Sequence, residues 1–137
     1  MMHRLASSII VAFSICLFPV TLPLIAQRSV AQTQNAQAEE VQRLLQQAVQ
    51  QTGRQPQAAI ETFEQVLGIA RQINAKELEG IALLGIGRNY NDIGRRQDAL
   101  EFYEQALRIF QQINNRSGEA TTLNNIGAVY SDIGQPQ

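Results

Sequence analysis

Several groupings in the 137-residue chain have the residue types and spacing for chemistry. Glu61/Glu64 and Glu101/Glu104 set two carboxylates about one helical turn apart, as an acid–base pair requires. Gly85-x-Gly87 has the look of a phosphate-cradling turn, Arg95-Arg96 of a basic contact, and Tyr90, Tyr103 and Tyr130 of an aromatic ligand box. Context weakens each of them. The two glutamate pairs recur 40 positions apart in matching surroundings, which describes a solvated helix face. Gly85-x-Gly87 follows no strand and opens no phosphate loop. Two arginines at a turn fall far short of a nucleic-acid patch, and the tyrosines recur at helical spacing, as core residues do.

His3 and Cys16 are the only histidine and cysteine, and both lie in an N-terminal stretch with the features of an export signal. His3 and Arg4 give a short basic start, Ile9–Val20 an apolar core broken by Pro19 and followed by Pro23, and Ser29-Val30-Ala31 the small residues of a cleavage site before Gln32. Cleavage after Ala26 is the weaker alternative, because Leu24 is large. The other interpretation is an uncleaved membrane anchor, but Ile9–Ile25 is shorter than the roughly 20 residues of a span. Ile15 before Cys16 disfavours lipid attachment. With Arg4 and Arg28 removed from 11 basic residues, 9 remain against 12 acidic ones, a net charge of −3. A mature chain of this kind has no disulfide, thiol nucleophile, imidazole base or His/Cys metal site, so no metal, cofactor or catalytic residue is expected. Its charge balance argues against binding nucleic acid through phosphates.

The elements that position these residues follow from an internal repeat. Leu83, Ile86, Gly87, Tyr90, Ile93 and Gly94 return 40 positions later as Leu123, Ile126, Gly127, Tyr130, Ile133 and Gly134. Ala59, Glu61, Phe63, Glu64, Gln65, Leu67 and Ile69 likewise return as Ala99, Glu101, Tyr103, Glu104, Gln105, Leu107 and Ile109, again 40 positions on. The spacing of three and four within Leu83/Ile86/Tyr90/Ile93 and Ala99/Tyr103/Ala106/Phe110 gives one apolar face on each of two successive helices. Gly87 lies inside the first stripe, where glycine costs about 1 kcal/mol against alanine. That placement predicts close helix–helix approach, with Tyr103 or Ala106 filling the space. Gly94 and Gly134 are expected at left-handed helix stops.

Leu83, Ile86, Gly87, Tyr90, Ala99, Tyr103 and Ala106 resemble the signature of the tetratricopeptide repeat, from about Val41 to the end of the chain. The chain departs from the family pattern in its period of 40, in Leu83 replacing the frequent tryptophan, and in having no proline near Gln111. The longer period and the Leu-Asn-Asn-Ile-Gly wording resemble an elongated subtype found in scaffold and cargo-adaptor proteins. Similar arrays occur in exported bacterial proteins, some of which carry a caspase-like peptidase domain. The resemblance implies an all-α, right-handed solenoid of helix-turn-helix units, about two and a half in number.

Read in order, residues 1–31 form the signal segment, 32–37 a polar, flexible linker after cleavage, and 38–137 the solenoid, with units near 38–76, 77–116 and an incomplete 117–137. The first helix, about Ala38–Gln51, has Val41, Leu44, Leu45, Ala48 and Val49 on its apolar side. It is degenerate, with Gln46 standing where the repeat has glycine, as a capping unit would. Pro56 is placed at the start of the next helix. Asn74-Ala-Lys-Glu77 resembles a capping box, and Ser117 is expected to open the fifth helix. The chain stops in the turn before the second helix of its third unit and reads as truncated. Leu123, Ile126, Tyr130 and Ile133 are expected to pack on the preceding unit on one side and to lack their own partner helix.

In the family the first helices line the concave surface. The residues this resemblance places there are Leu84, Arg88, Asn91 and Asp92, and in the next unit Asn124, Ala128, Ser131 and Asp132. Asparagines there suit the backbone of an extended peptide, and Arg88 suits a carboxylate. Leu84 and Ala128 occupy positions that are polar in carboxylate-clamp repeats, so that specificity does not carry over. The function implied is a non-catalytic scaffold that binds a peptide or protein, exported to the periplasm or cell exterior, without stable membrane insertion after cleavage. The alternatives are the targeting front of a longer protein with a catalytic domain, and self-association through the open last unit.

Overall fold

The computed structural model describes residues 21–134 of the chain. The basic start, the apolar run up to Val20, Cys16 and Pro136 lie outside the described residues. Five helices follow one another: α1 Thr21–Gln51, α2 Pro56–Gln72, α3 Lys76–Asp92, α4 Arg96–Gln112 and α5 Arg116–Gly134. Among the described residues there is no strand, and no helix is long and apolar enough to cross a membrane. The chain divides into two parts, 1–36 and 37–137. In the first, α1 begins, with Thr33 Oγ1 donating to the Ser29 carbonyl at 2.9 Å. Residues 32–37, expected as a linker once the chain is cleaved, are helical in the full-length chain.

The second part is a helical-repeat solenoid. Pro56 and Arg96 begin α2 and α4, and Lys76 and Arg116 begin α3 and α5, each pair 40 positions apart. Every inter-helix turn is closed by a residue in the left-handed region, where glycine and asparagine are least strained. Within units this residue is Gly53 or Gly94, both at φ 81°, and between units it is Asn74 or Asn114, both at φ 56°. The hydrogen bonds are those of a Schellman closure. After α3, Arg95 N–H donates to the Tyr90 carbonyl and Gly94 N–H to that of Asn91, both at 2.9 Å. Two expected caps are thereby reassigned. Asn74 closes α2, while the residue before α3 is Ala75, with no side-chain cap. Asn115, and not Ser117, caps α5, its Oδ1 accepting from Gly118 N–H at 2.9 Å. Gly134, expected as a stop, is the last residue of α5.

The core lies along the shared sides of the helices. Ala59, Ile60, Phe63, Val66, Leu67 and Ala70 of α2, and Ala99, Leu100, Tyr103, Ala106 and Phe110 of α4, are buried at intervals of one, three and four. α3 packs between α2 and α4, and its glycines set how closely. A Cβ placed on Gly87 would lie 2.7 Å from the Tyr103 ring, on Gly85 2.5 Å from the Phe63 ring, and on Gly80 2.8 Å from the Phe110 ring. Gly118 of α5 meets the same Phe110 ring at 2.5 Å. Contacts that short leave no room for a methyl group, so each glycine is a notch holding an aromatic ring.

Three expectations about core residues are corrected. Tyr103 is buried as predicted, but Tyr90 is half-buried, its ring stacked on Phe102 at 5.3 Å and covered by the Arg95 guanidinium at 4.6 Å. Tyr130 is 58% exposed, Leu123 48% and Ile133 54%. α5 instead meets the preceding unit through Thr122 and Val129, both buried, with Ile126 half-buried beside them. The reason is rotational: residues at 122 and 129 lie on the side of α5 facing α4, and the 123/130 stripe points past it. Val49, placed on the apolar side of α1, is also exposed.

A charged cluster fastens α2 to α3. Glu79 is buried and accepts from Lys76 Nζ at 2.8 Å and from Arg71 Nε at 3.0 Å. The hydrogen bond from Lys76, assisted by Arg71, holds its carboxyl below the usual carboxylate range against the opposing effect of burial.

Gly87→Leu is expected to destabilise the fold by about 1–3 kcal/mol through overpacking against Tyr103. Gly68→Ala, in α2 where a Cβ meets nothing within 4 Å, should stabilise it by about 0.5–1 kcal/mol. Urea melts of the two variants check both signs. A Glu whose folded pKa is depressed contributes stability above its unfolded pKa and loses it as pH falls through the folded value. Stability measured from pH 6 to pH 3 should therefore decline, and Glu79→Gln should flatten part of that decline while costing about 0.5–1 kcal/mol at neutral pH.

Candidate functional site

The first helices of the three units present one side to a common groove with a cavity volume of about 460 Å³. α1 contributes Leu45 and Val49, the turn after it Thr52, α3 contributes Ile81, Leu84, Gly85 and Arg88, and α5 contributes Thr121 and Asn125. Phe63 of α2 completes the floor. That a second-helix residue reaches the groove follows from two glycine positions. In the first unit Gln46 occupies the place of the repeat's inner glycine, so α1 has no notch there for the Phe63 ring. The ring lies instead in the notch at Gly85. Its repeat counterpart Tyr103 turns to Gly87.

Asn89, wholly buried beneath this surface, ties α3 to the turn that follows α1. Its Nδ2 donates to the Gly85 carbonyl at 2.8 Å and to Thr52 Oγ1 at 3.3 Å. Thr52 Oγ1 in turn donates to the Ala48 carbonyl at 3.0 Å. The groove wall formed by Thr52 is thereby fixed to its floor.

Arg88 is the one charged residue lining the cavity and is exposed. It acts on Tyr103 together with Asp92. Burial pushes the Tyr103 hydroxyl up to about 12, with the Asp92 charge adding to the effect and Arg88 opposing it. Tyr103 therefore stays protonated across the physiological range, a neutral hydroxyl between opposite charges.

The residues anticipated from the sequence are distributed unevenly. Leu84 and Arg88 line the groove. Asn91 is half-buried in the last turn of α3, its Oδ1 buried without a partner, and Asp92 is exposed beside it. Asn124, Ala128, Ser131 and Asp132 are exposed on α5, whose cavity-lining residues are Thr121 and Asn125. The cavity is thus centred one turn nearer the start of α3 and α5 than the row 88/91/92 places it. The sequence carried the signal for this: Ile81, Leu84, Gly85 and Arg88 share one face at spacings of three and four, with an exposed isoleucine at its head. Glu61, Glu64, Glu101 and Glu104 are all exposed on the second helices, away from this groove.

A family model described as tetratricopeptide repeat matches residues 47–112 and again 78–137. Together the two matches span well over half of the chain, and the chain belongs to the tetratricopeptide-repeat family. A designed protein, DA05, whose solution NMR structure is known, is similar over 59% of this chain and 81% of its own, with 27% identity and a TM-score of 0.56. No curated protein matches. Tetratricopeptide repeats as a class mediate protein–protein interaction.

Gly85→Ala should displace the Phe63 ring and reshape the groove floor. The expected outcome is a change in the Phe63 aromatic NMR resonances and a loss of stability smaller than that of Gly87→Leu, because the ring has the open groove to move into.

Proposed function

We propose that this chain is a non-catalytic interaction scaffold of the elongated, 40-residue subtype, which binds a peptide or protein segment in the groove between α1, α3 and α5. The observation that carries this proposal is the lining of the groove: aliphatic and aromatic on its floor, with Arg88 as its single charge and Thr52, Thr121 and Asn125 as neutral hydrogen-bonding groups. Such a surface suits a segment with a large apolar side chain seated near Phe63 and Leu84 and an acidic group at Arg88. We further propose that the chain is exported and that its first 31 residues are removed, on the strength of the basic start, apolar core and small residues at Ser29 and Ala31.

Selection of a random peptide library on the immobilised full chain tests the groove. Enriched peptides should pair an apolar with an acidic residue and lose at least tenfold in affinity to the Leu84→Glu variant, while Arg88→Glu should penalise only the acidic position. Peptides that bind both variants as well as the parent would place binding elsewhere. For export, mass spectrometry of the protein from its native cell should find an N-terminus at Gln32, or at Gln27 on the weaker cleavage. An intact Met1 in the cytoplasmic fraction refutes it, and an intact Met1 in the membrane favours the anchor.

A further inference from the structure

We propose that a second cavity, on the side of α3 away from the groove, binds a small phosphate monoester between Arg71 and Arg108. The cavity has a volume of about 280 Å³ and lies where the end of α2, the start of α3 and the second half of α4 meet. From α3 it takes Glu79 and Leu83. At about 3.6 residues per turn these two sit opposite Ile81, Leu84, Gly85 and Arg88, which face the groove. From α4 it takes Gln105, Arg108, Ile109 and Gln112, and from α2 Arg71. Neither arginine is part of the repeat. Gly68 stands 40 positions before Arg108 and Gln111 stands 40 positions after Arg71, although the residues around them recur. Two departures from the repeat, both to arginine, thus converge on one cavity.

The state of the two guanidiniums points to an anion. Arg71 donates its Nε–H to Glu79 Oε1 at 3.0 Å, which braces the group and leaves its outer N–H donors without a partner among the described residues. The other Glu79 oxygen accepts from Lys76 Nζ at 2.8 Å, so the one carboxylate in the cavity wall is fully engaged. Arg108 follows Glu104 by four positions, the favourable order for an ion pair on a helix. No such pair forms among the described residues, and Arg108 lines the cavity instead. Arg71, Lys76 and Arg108 against Glu79 leave a local surplus of two positive charges. One guanidinium is enough to satisfy a carboxylate through two parallel bonds. Two guanidiniums, with the carboxamides of Gln105 and Gln112 beside them, offer more donors than a carboxylate accepts. A phosphate monoester has three terminal oxygens and a charge of about −1.5 to −2 at neutral pH, which matches both the donors and the surplus. Leu83 and Ile109 are the apolar part of the lining and suit the carbon skeleton of the ester.

The test titrates the isotopically labelled full chain with glycerol phosphate, at an ionic strength held constant with sodium chloride, and follows the arginine side-chain Nε–H resonances by NMR. Saturable shifts at Arg71 and Arg108 are expected, with acetate binding at least tenfold more weakly. Arg108→Gln should weaken binding at least tenfold, and because Arg108 has no partner among the described residues that variant should melt as the parent does. Arg71→Lys keeps a charge beside Glu79 but removes the guanidinium fork, and should weaken binding as well. Arg88→Gln, on the groove side, should leave it intact. Shifts that fail to saturate, or that appear equally at Arg54 and Arg88, are ionic screening and overturn the proposal. Binding that survives Arg108→Gln overturns it too. Acetate binding as tightly as glycerol phosphate overturns the phosphate assignment, and inorganic phosphate binding where glycerol phosphate does not would make the ligand the free ion and overturn the ester.

Discussion

The seating of aromatic rings in glycine notches is the contact on which the rest of the solenoid depends. α3 gives up side chains at Gly80, Gly85 and Gly87 and receives Phe110, Phe63 and Tyr103 in return. Three glycines inside a helix cost about 3 kcal/mol against alanine, while burying one aromatic side chain contributes roughly 1.5–3 kcal/mol. Three rings therefore outweigh the loss, provided that the helices approach closely enough to bury them. That condition fixes helix separation, and helix separation fixes the groove. Phe110 also lies against Gly118, so one ring sets the distance of α4 from both α3 and α5. The junction between the second and third units thus has its packing centre in a single side chain.

The same notches explain where function is placed. Because Phe63 turns to Gly85 and not to α1, a residue of a second helix forms part of a surface otherwise built by first helices. The groove gains an aromatic floor that the repeat alone would not provide. Its polar edge comes from Arg88, with Tyr103 and Asp92 in its field, and from Asn89 beneath, which holds Thr52 in the wall.

Much of this was legible in the sequence, and the part that was not has physical causes. The period, the helix start at Pro56, the left-handed stop at Gly94 and the pairing of Gly87 with Tyr103 follow from spacing and residue type. Gly85 was obscure because periodicity marks a residue's face on its own helix and not which neighbouring helix sends a ring to it. Asn74 misled because asparagine serves both ends of helices. In a three-residue turn the left-handed position ending α2 and the cap beginning α3 are adjacent, and φ alone separates them. The α5 stripe was expected against the preceding unit because its counterpart is covered in the second unit. That cover, however, comes from the following helix of the same unit, α4, while contact with the preceding unit runs through Ala82 and Asn89, and through Thr122 and Val129 in α5.

The order of the helices in space is their order along the chain, and its consequence is kinetic. The most sequence-distant hydrogen bonds described, Asn115 to Glu77 and Asn89 to Thr52, span 38 and 37 positions, little more than two helices. The ring contacts close shorter loops still. Low contact order of this kind favours fast folding, since little chain entropy is lost before each new contact forms. Each helical hairpin can dock on the one before it as the polypeptide emerges during synthesis, with no strand or helix waiting for a distant partner. A solenoid of this sort can nucleate at any adjacent pair of helices whose ring has found its notch and propagate from there.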